Sequence, residues 1–153
     1  AFDSYLAMRG LRTLSVRLRQ HQENATAIAD FLVTHPAITK VNFPGLVTHP
    51  QHELAKEQQA GFGAMLSFDI VGNEDQIKVF IESIELFCLA ESLGGVESLI
   101  AHPATMTHAG MEESARLTAG ISNTLVRLSI GLESIDDLLA DLSKGLDAVM
   151  ASL

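Results

Sequence analysis

The chain has 153 residues, 47% of them apolar and 19% charged, and a net charge of −9. That length suits one domain, able to bury roughly 70% of the surface its unfolded chain exposes. The acidic balance argues against nucleic acid and against an anionic membrane surface, both of which require a basic face, and any bound anion must be met by a locally placed cation.

Residues 2–8 read as a short helix with Asp3 near its start. Gly10 interrupts it, after which Leu11, Leu14, Leu18, Ala25, Ile28 and Leu32 form a stripe at helical spacing. His35-Pro36 ends that helix. Residues 38–41 predict a short strand, 43–45 a turn, and 51–59 a polar helix. Residues 64–70 alternate as a strand does, with Ala64, Leu66, Phe68 and Ile70 on one side. Asn73, with Gln76 three residues on, resembles a capping box for a helix buried through Ile77, Phe80, Ile81 and Ile84. Residues 87–90 predict a strand, 91–123 a loop-rich region with a helical turn near 112–117, and 126–130 another strand. Ser134 is the expected N-cap of the last helix, with Asp136 and Asp137 in its first turn, where the helix dipole favours acids. Alternating strands separated by helices predict an α+β domain, a small antiparallel sheet covered by helices on one face.

Cys88 is the only cysteine, which rules out an intrachain disulfide, and no zinc-type spacing occurs. In an apolar strand it is expected to be a buried thiol. No apolar run is long enough to span a bilayer.

The chemistry-bearing residues concentrate in 89–133, where LAESLGGVESLIAHPATMTHAG is followed ten residues later by GISNTLVRLSIGLE. In the latter, Val126, Leu128 and Ile130 point to the core, so Arg127 and Ser129 point away from it. A guanidinium on a strand is either a solvated or ion-paired side chain, or a rigid planar fork for a carboxylate. Glu91-Ser92-Leu93-Gly94-Gly95 is either an ordinary strand exit or a turn whose glycines bring backbone close to a ligand. His102 and His108 have no metal-type ligand set around them and are expected to be structural. Arg17 and Arg19 are expected on a solvated helix face.

These segments resemble the carboxyl-terminal domain of the Cys/Met-metabolism enzymes that use pyridoxal phosphate (PLP), and within that family the cystathionine γ-synthases most. FDSYLAMRGLRTL extends the resemblance to the start of the chain. It implies the C-terminal-domain fold of fold-type I PLP-dependent transferases. It further implies that Arg127 holds a substrate α-carboxylate, that Ser92, Glu91 and Leu93 shape the pocket, that Thr107 supports it, and that Arg9 and Arg12 make interdomain or oligomer contacts.

The same resemblance sets the scope of what the chain can do. PLP enzymes need a lysine that forms a Schiff base with the cofactor, and Lys40, Lys56, Lys78 and Lys144 lie in no loop of the family's type. Residues 1–153 are therefore expected to be a C-terminal, substrate-side domain, with an upstream PLP-binding domain outside this sequence. The start at Ala1 is what a truncated or processed product would show. The implied parent is a cytoplasmic homotetramer acting on amino-acid substrates, an O-acylhomoserine and cysteine, by γ-replacement. A γ-lyase or a homoserine sulfhydrylase of the family is the first alternative, and a non-catalytic interaction domain is one of another class.

Overall fold

The structure, a computed structural model, describes residues 1–153. Six helices and five strands follow along the chain: α1 (Phe2–Leu11), α2 (Leu14–Thr34), β1 (Ile38–Asn42), α3 (His52–Gln58), β2 (Met65–Ile70), α4 (Glu74–Ser83), β3 (Cys88–Leu89), β4 (Leu99–Ala101), α5 (Glu113–Thr118), β5 (Leu125–Ser129) and α6 (Ile135–Ala151). The strands form one sheet in the order β1-β2-β5-β4-β3. Every neighbouring pair is antiparallel except β3 and β4, which run parallel. The expected α+β domain is therefore present, with one parallel pair at its edge. That pair arises because residues 90–98 carry the chain back before β4 begins, a strand that the loop-rich reading of 91–123 had absorbed.

Leu66, Phe68 and Ile70 of β2, Val126, Leu128 and Ile130 at β5, and Ile100 of β4 face the helices. Ala25, Ile28, Ala29 and Leu32 of α2, Ile77 and Phe80 of α4, and Leu138, Leu142, Leu146 and Val149 of α6 meet them in a core of 21 buried residues. Buried residues of α2 begin only at His21. Leu11 and Leu18, expected in the buried stripe, are exposed because the first turns of α2 stand clear of the sheet. The helix break falls at Arg12–Thr13 rather than at Gly10. Arg17, expected on a solvated face, spans that break instead, donating to Gly10 O at 2.9 Å and Thr13 Oγ1 at 3.3 Å.

Two helix starts compare differently with expectation. Asn73 Oδ1 accepts from Asp75 N at 2.7 Å and Gln76 Oε1 accepts from Asn73 N at 3.0 Å, the reciprocal cap the sequence implied. Ser134 occupies the N-cap of α6, but its hydroxyl caps nothing. Cys88 is exposed, not buried, since β3 is the outermost strand and no element covers its outer side. At the opposite edge, the register shift between Ile38 and Lys40 and the charge of Lys40 blunt β1 as a pairing surface.

Candidate substrate-carboxylate site

The sheet face turned away from the helices carries Arg127, which lies between Ser67 of β2 and Ala101 of β4 in register. It is not an open face. Leu99, Ala101, Leu125 and Ser129 are buried there, and Arg127 itself is half-buried. Ser129, expected to point away from the core, does so, but its hydroxyl accepts from Gly94 N at 2.9 Å and it is shut off from solvent.

Arg127 Nη2 donates to the backbone carbonyls of Glu91 and Ser92, at 3.1 and 3.0 Å. Its Nε is buried and has no hydrogen-bond partner. Arg127 takes part in none of the ion pairs of the structure, which involve His35, His52, Lys56, Lys78 and Lys144. A permanently charged guanidinium thus meets only carbonyl dipoles in a chain of net charge −9, with one nitrogen left unsatisfied at a cost of about 1–3 kcal/mol. A carboxylate is the group that relieves such a site, because it matches the planar fork in geometry and in charge.

The glycines behind Ser92 serve two purposes. Gly94 has φ +77°, the left-handed region that a side chain disfavours. A Cβ on Gly95 would meet the Glu97 carboxylate at 2.6 Å. The side chains of Glu91, Ser92 and Leu93 are exposed and make no hydrogen bond within the chain, so they face outward from the turn whose carbonyls hold Arg127.

The other expected residues lie apart from this cluster. The Thr107 hydroxyl bonds to Nδ1 of the adjacent His108 at 2.8 Å and to nothing on β5. His102 is buried and structural, as its sequence setting implied. Its Nε2 donates to the Asn123 carbonyl at 3.0 Å, which leaves Nδ1 to accept from the Thr105 hydroxyl at 2.8 Å. Arg9 and Arg12 sit at the end of α1, a helix that buries no residue of its own and exposes Phe2, Tyr5, Leu6 and Met8. None of the four lysines lies on β4, β5 or the segment between β3 and β5. Lys40 is two strands away on β1, while Lys56, Lys78 and Lys144 are on α3, α4 and α6. The cluster around Arg127 therefore offers a guanidinium, which suits a carboxylate, and no lysine amine.

Three residues that the sequence reading did not single out complete the surroundings. Arg116 of α5 donates to Asn123 Oδ1 in the loop before β5, and its Nε, like that of Arg127, is buried without a partner. Ser98 and Glu133 join the turn after β5 to the segment before β4, with Ser98 N to Glu133 Oε1 at 2.6 Å and Ser98 Oγ to Glu133 Oε2 at 2.9 Å. A serine beside a glutamate gives no periodic or spacing signal, and their meeting depends on the sheet bringing 98 and 133 together.

The sequence profile of the Cys/Met metabolism PLP-dependent enzymes matches residues 1–147. The chain belongs to this family. It is 56% identical to a cystathionine γ-lyase of Dictyostelium discoideum over 146 residues, covering 95% of the chain and 38% of that protein. It is 55% identical to the cystathionine γ-synthase of Escherichia coli K12 over 148 residues, covering 97% of the chain and 38% of that protein. Its fold matches the crystal structure of a cystathionine γ-synthase from Xanthomonas oryzae pv. oryzae with a TM-score of 0.95 and 59% identity, over 99% of this chain and 39% of that one. That enzyme has been solved with aminoacrylate and cysteine, and with cystathionine. The chain spans about two fifths of the length of these relatives. No helix is long and apolar enough to cross a membrane.

Proposed function

We propose that this chain is the substrate-side domain of a PLP-dependent cystathionine γ-synthase, in which cysteine replaces the γ-substituent of an O-acylhomoserine, commonly O-succinylhomoserine, to give cystathionine. The observation that carries the reading is Arg127, a half-buried guanidinium without an ionic partner, its Nε unsatisfied, on a rigid strand. In this reading Arg127 binds the α-carboxylate, and the Glu91 and Ser92 carbonyls hold Nη2 so that the fork keeps one orientation. The outward side chains of Glu91, Ser92 and Leu93 form the wall against which the rest of the amino acid lies. Fixing the carboxylate fixes the amino acid's α-carbon, and such orientation accounts for a large part of the barrier that an enzyme removes.

PLP, when bound, acts as an electron sink for carbanion character at the substrate. It would be held by a separate lysine-bearing domain, against which α1, with Arg9 and Arg12, would dock. A homotetrameric, cytoplasmic parent belongs to the same proposal.

The similarity to the Xanthomonas enzyme and the segment MTHAGMEESARLTAGISNTL favour γ-synthase. The near-equal identity to a γ-lyase supports a second reading, cleavage of cystathionine, by the same carboxylate-binding domain. Assay of a protein that joins this chain to its PLP-binding domain separates them. Turnover of O-succinylhomoserine with cysteine supports the synthase, and turnover of cystathionine alone, without the first reaction, replaces it with the lyase.

A further inference from the structure

The orientation of Arg127 depends on a segment that belongs to no strand. Residues 90–98 link β3 to β4, and Glu91 to Gly94, Val96 and Glu97 are exposed. No residue of this arm belongs to the hydrophobic core. The carbonyls that hold the guanidinium are therefore fixed only by whatever holds the arm.

Its ends are tied to the strands they leave and enter, Ala90 N donating to Ile100 O at 2.9 Å and Ser98 O accepting from Cys88 N at 3.1 Å, and between them it is held by the continuation of the strand that carries Arg127. Gly94 N donates to Ser129 Oγ at 2.9 Å, and Leu132 N donates to Val96 O at 2.8 Å. Gly131 N donates to Ser98 Oγ at 2.9 Å, and Ser98 in turn donates through both its amide and its hydroxyl to Glu133. The Ser98 hydroxyl is fully buried and accepts on one side while donating on the other, so the carboxylate sets the direction of its proton. The approach is close enough to require glycine. A Cβ on Gly131 would lie 2.5 Å from Val96 O and 2.6 Å from the Glu97 carbonyl carbon.

The turn is itself anchored from the other side. Buried His21 of α2 donates through Nδ1 to Ile130 O at 2.6 Å, and buried Asn24 donates through Nδ2 to Gly131 O and Glu133 O at 3.1 and 3.0 Å. One rigid unit thus carries the guanidinium, the serine that fixes Gly94, and the carboxylate that fixes Ser98.

We propose that Ser98 and Glu133 are positioning residues. They clasp the 91–98 arm to the β5–α6 turn and so keep the Glu91 and Ser92 carbonyls on Arg127, which sets the affinity of the carboxylate site. The inference rests on the carboxylate role of Arg127 and adds the residues through which that role is tuned.

The test uses the protein that joins this chain to its PLP-binding domain, ¹⁵N-labelled, as wild type and as Ser98→Ala, Glu133→Ala and Glu133→Gln. Amide exchange is read at Gly94 and, as core references, at Phe68 and Val126. The Arg127 Nε–H signal is followed during titration with L-cystathionine. Ser98→Ala and Glu133→Ala should speed exchange at Gly94 and weaken the titration at Arg127 by about tenfold each, the scale of one lost hydrogen bond, with the core references unchanged. Glu133→Gln keeps one of the two acceptor oxygens and should recover part of both effects. Unchanged exchange at Gly94 overturns the proposal. So does loss of protection at Phe68 and Val126 in both alanine variants, which would make the clasp a folding element. A wild-type Arg127 signal blind to cystathionine, with the exchange effects present, removes the carboxylate role and leaves the clasp. A wild-type response matched by the variants does the reverse.

Discussion

Arg127 donates to the Ser92 carbonyl at 3.0 Å through Nη2, yet its buried Nε bonds to nothing. A strand arginine kept in place by backbone carbonyls has donors left for an acceptor, which the proposed function takes to be a substrate carboxylate. Arg127→Ala, in a protein that joins this chain to its PLP-binding domain, should weaken substrate binding by about 2–5 kcal/mol, the range for truncating a buried charged pair. Arg127→Lys should recover little, since an ammonium lacks the fork. Steady-state kinetics check this, and unchanged KM and kcat would reject the carboxylate role.

Asp141 of α6 accepts three backbone N–H groups at the end of α4: Glu85 at 2.8 Å through Oδ1, and Leu86 at 2.9 Å and Phe87 at 3.4 Å through Oδ2. One carboxylate thereby fixes the turn that delivers β3. Asp141→Ala should lower unfolding stability by about 2–4 kcal/mol. Asp141→Asn retains one acceptor oxygen and should lose less. Urea unfolding of the chain measures both, and a loss under about 1 kcal/mol for the alanine variant, below the range for stranded buried donors, would contradict the assignment.

Gly145 lies where α6 crosses α4. A Cβ there would stand 2.7 Å from both Ile84 Cγ2 and Phe80 Cδ2. Helix propensity alone makes Gly→Ala stabilising by about 1 kcal/mol, but overpacking in a rigid core costs about 1–3 kcal/mol. Packing should win, so Gly145→Ala is expected to lower the melting temperature. A rise would show that the two helices separate more easily than their packing implies.

The Lys144 ammonium, 2.5 Å from Glu85 Oε1, holds that carboxyl below its ordinary value of 4.5, first by hydrogen bonding and then by charge. A depressed carboxyl in the folded state stabilises above its unfolded pKa and loses that contribution as pH falls through the folded value. Lys144→Gln should therefore be slightly less stable than wild type near neutrality, with the gap closing below pH 4.5. The pair is exposed, so added salt should shrink the gap as well. Thermal melts across pH and ionic strength test it, and a gap that persists in acid would assign the effect to packing of the lysine stem.

The elements legible in the sequence were those whose periodicity and capping act locally. The β2 alternation and the Asn73–Gln76 cap both appear as read. β4 was missed because three buried residues in a row, Leu99, Ile100 and Ala101, carry no alternation and lie within a polar, glycine-rich stretch. The buried thiol expected at Cys88 failed for a related reason, since an apolar neighbourhood along the chain does not tell an edge strand from a central one. At the site, Arg127 was visible because its strand fixes which face it takes. Ser98 and Glu133 were not, because 35 residues separate them and only the sheet brings them together.

The most direct test of the central claim is a crystal structure of the protein that carries this chain, grown with PLP and L-cystathionine and read at Arg127. A carboxylate oxygen about 2.7–2.9 Å from a guanidinium nitrogen that is free in the structure described above is the predicted result. A carboxylate bound to another cation, with Arg127 still held only by Glu91 and Ser92, would contradict it.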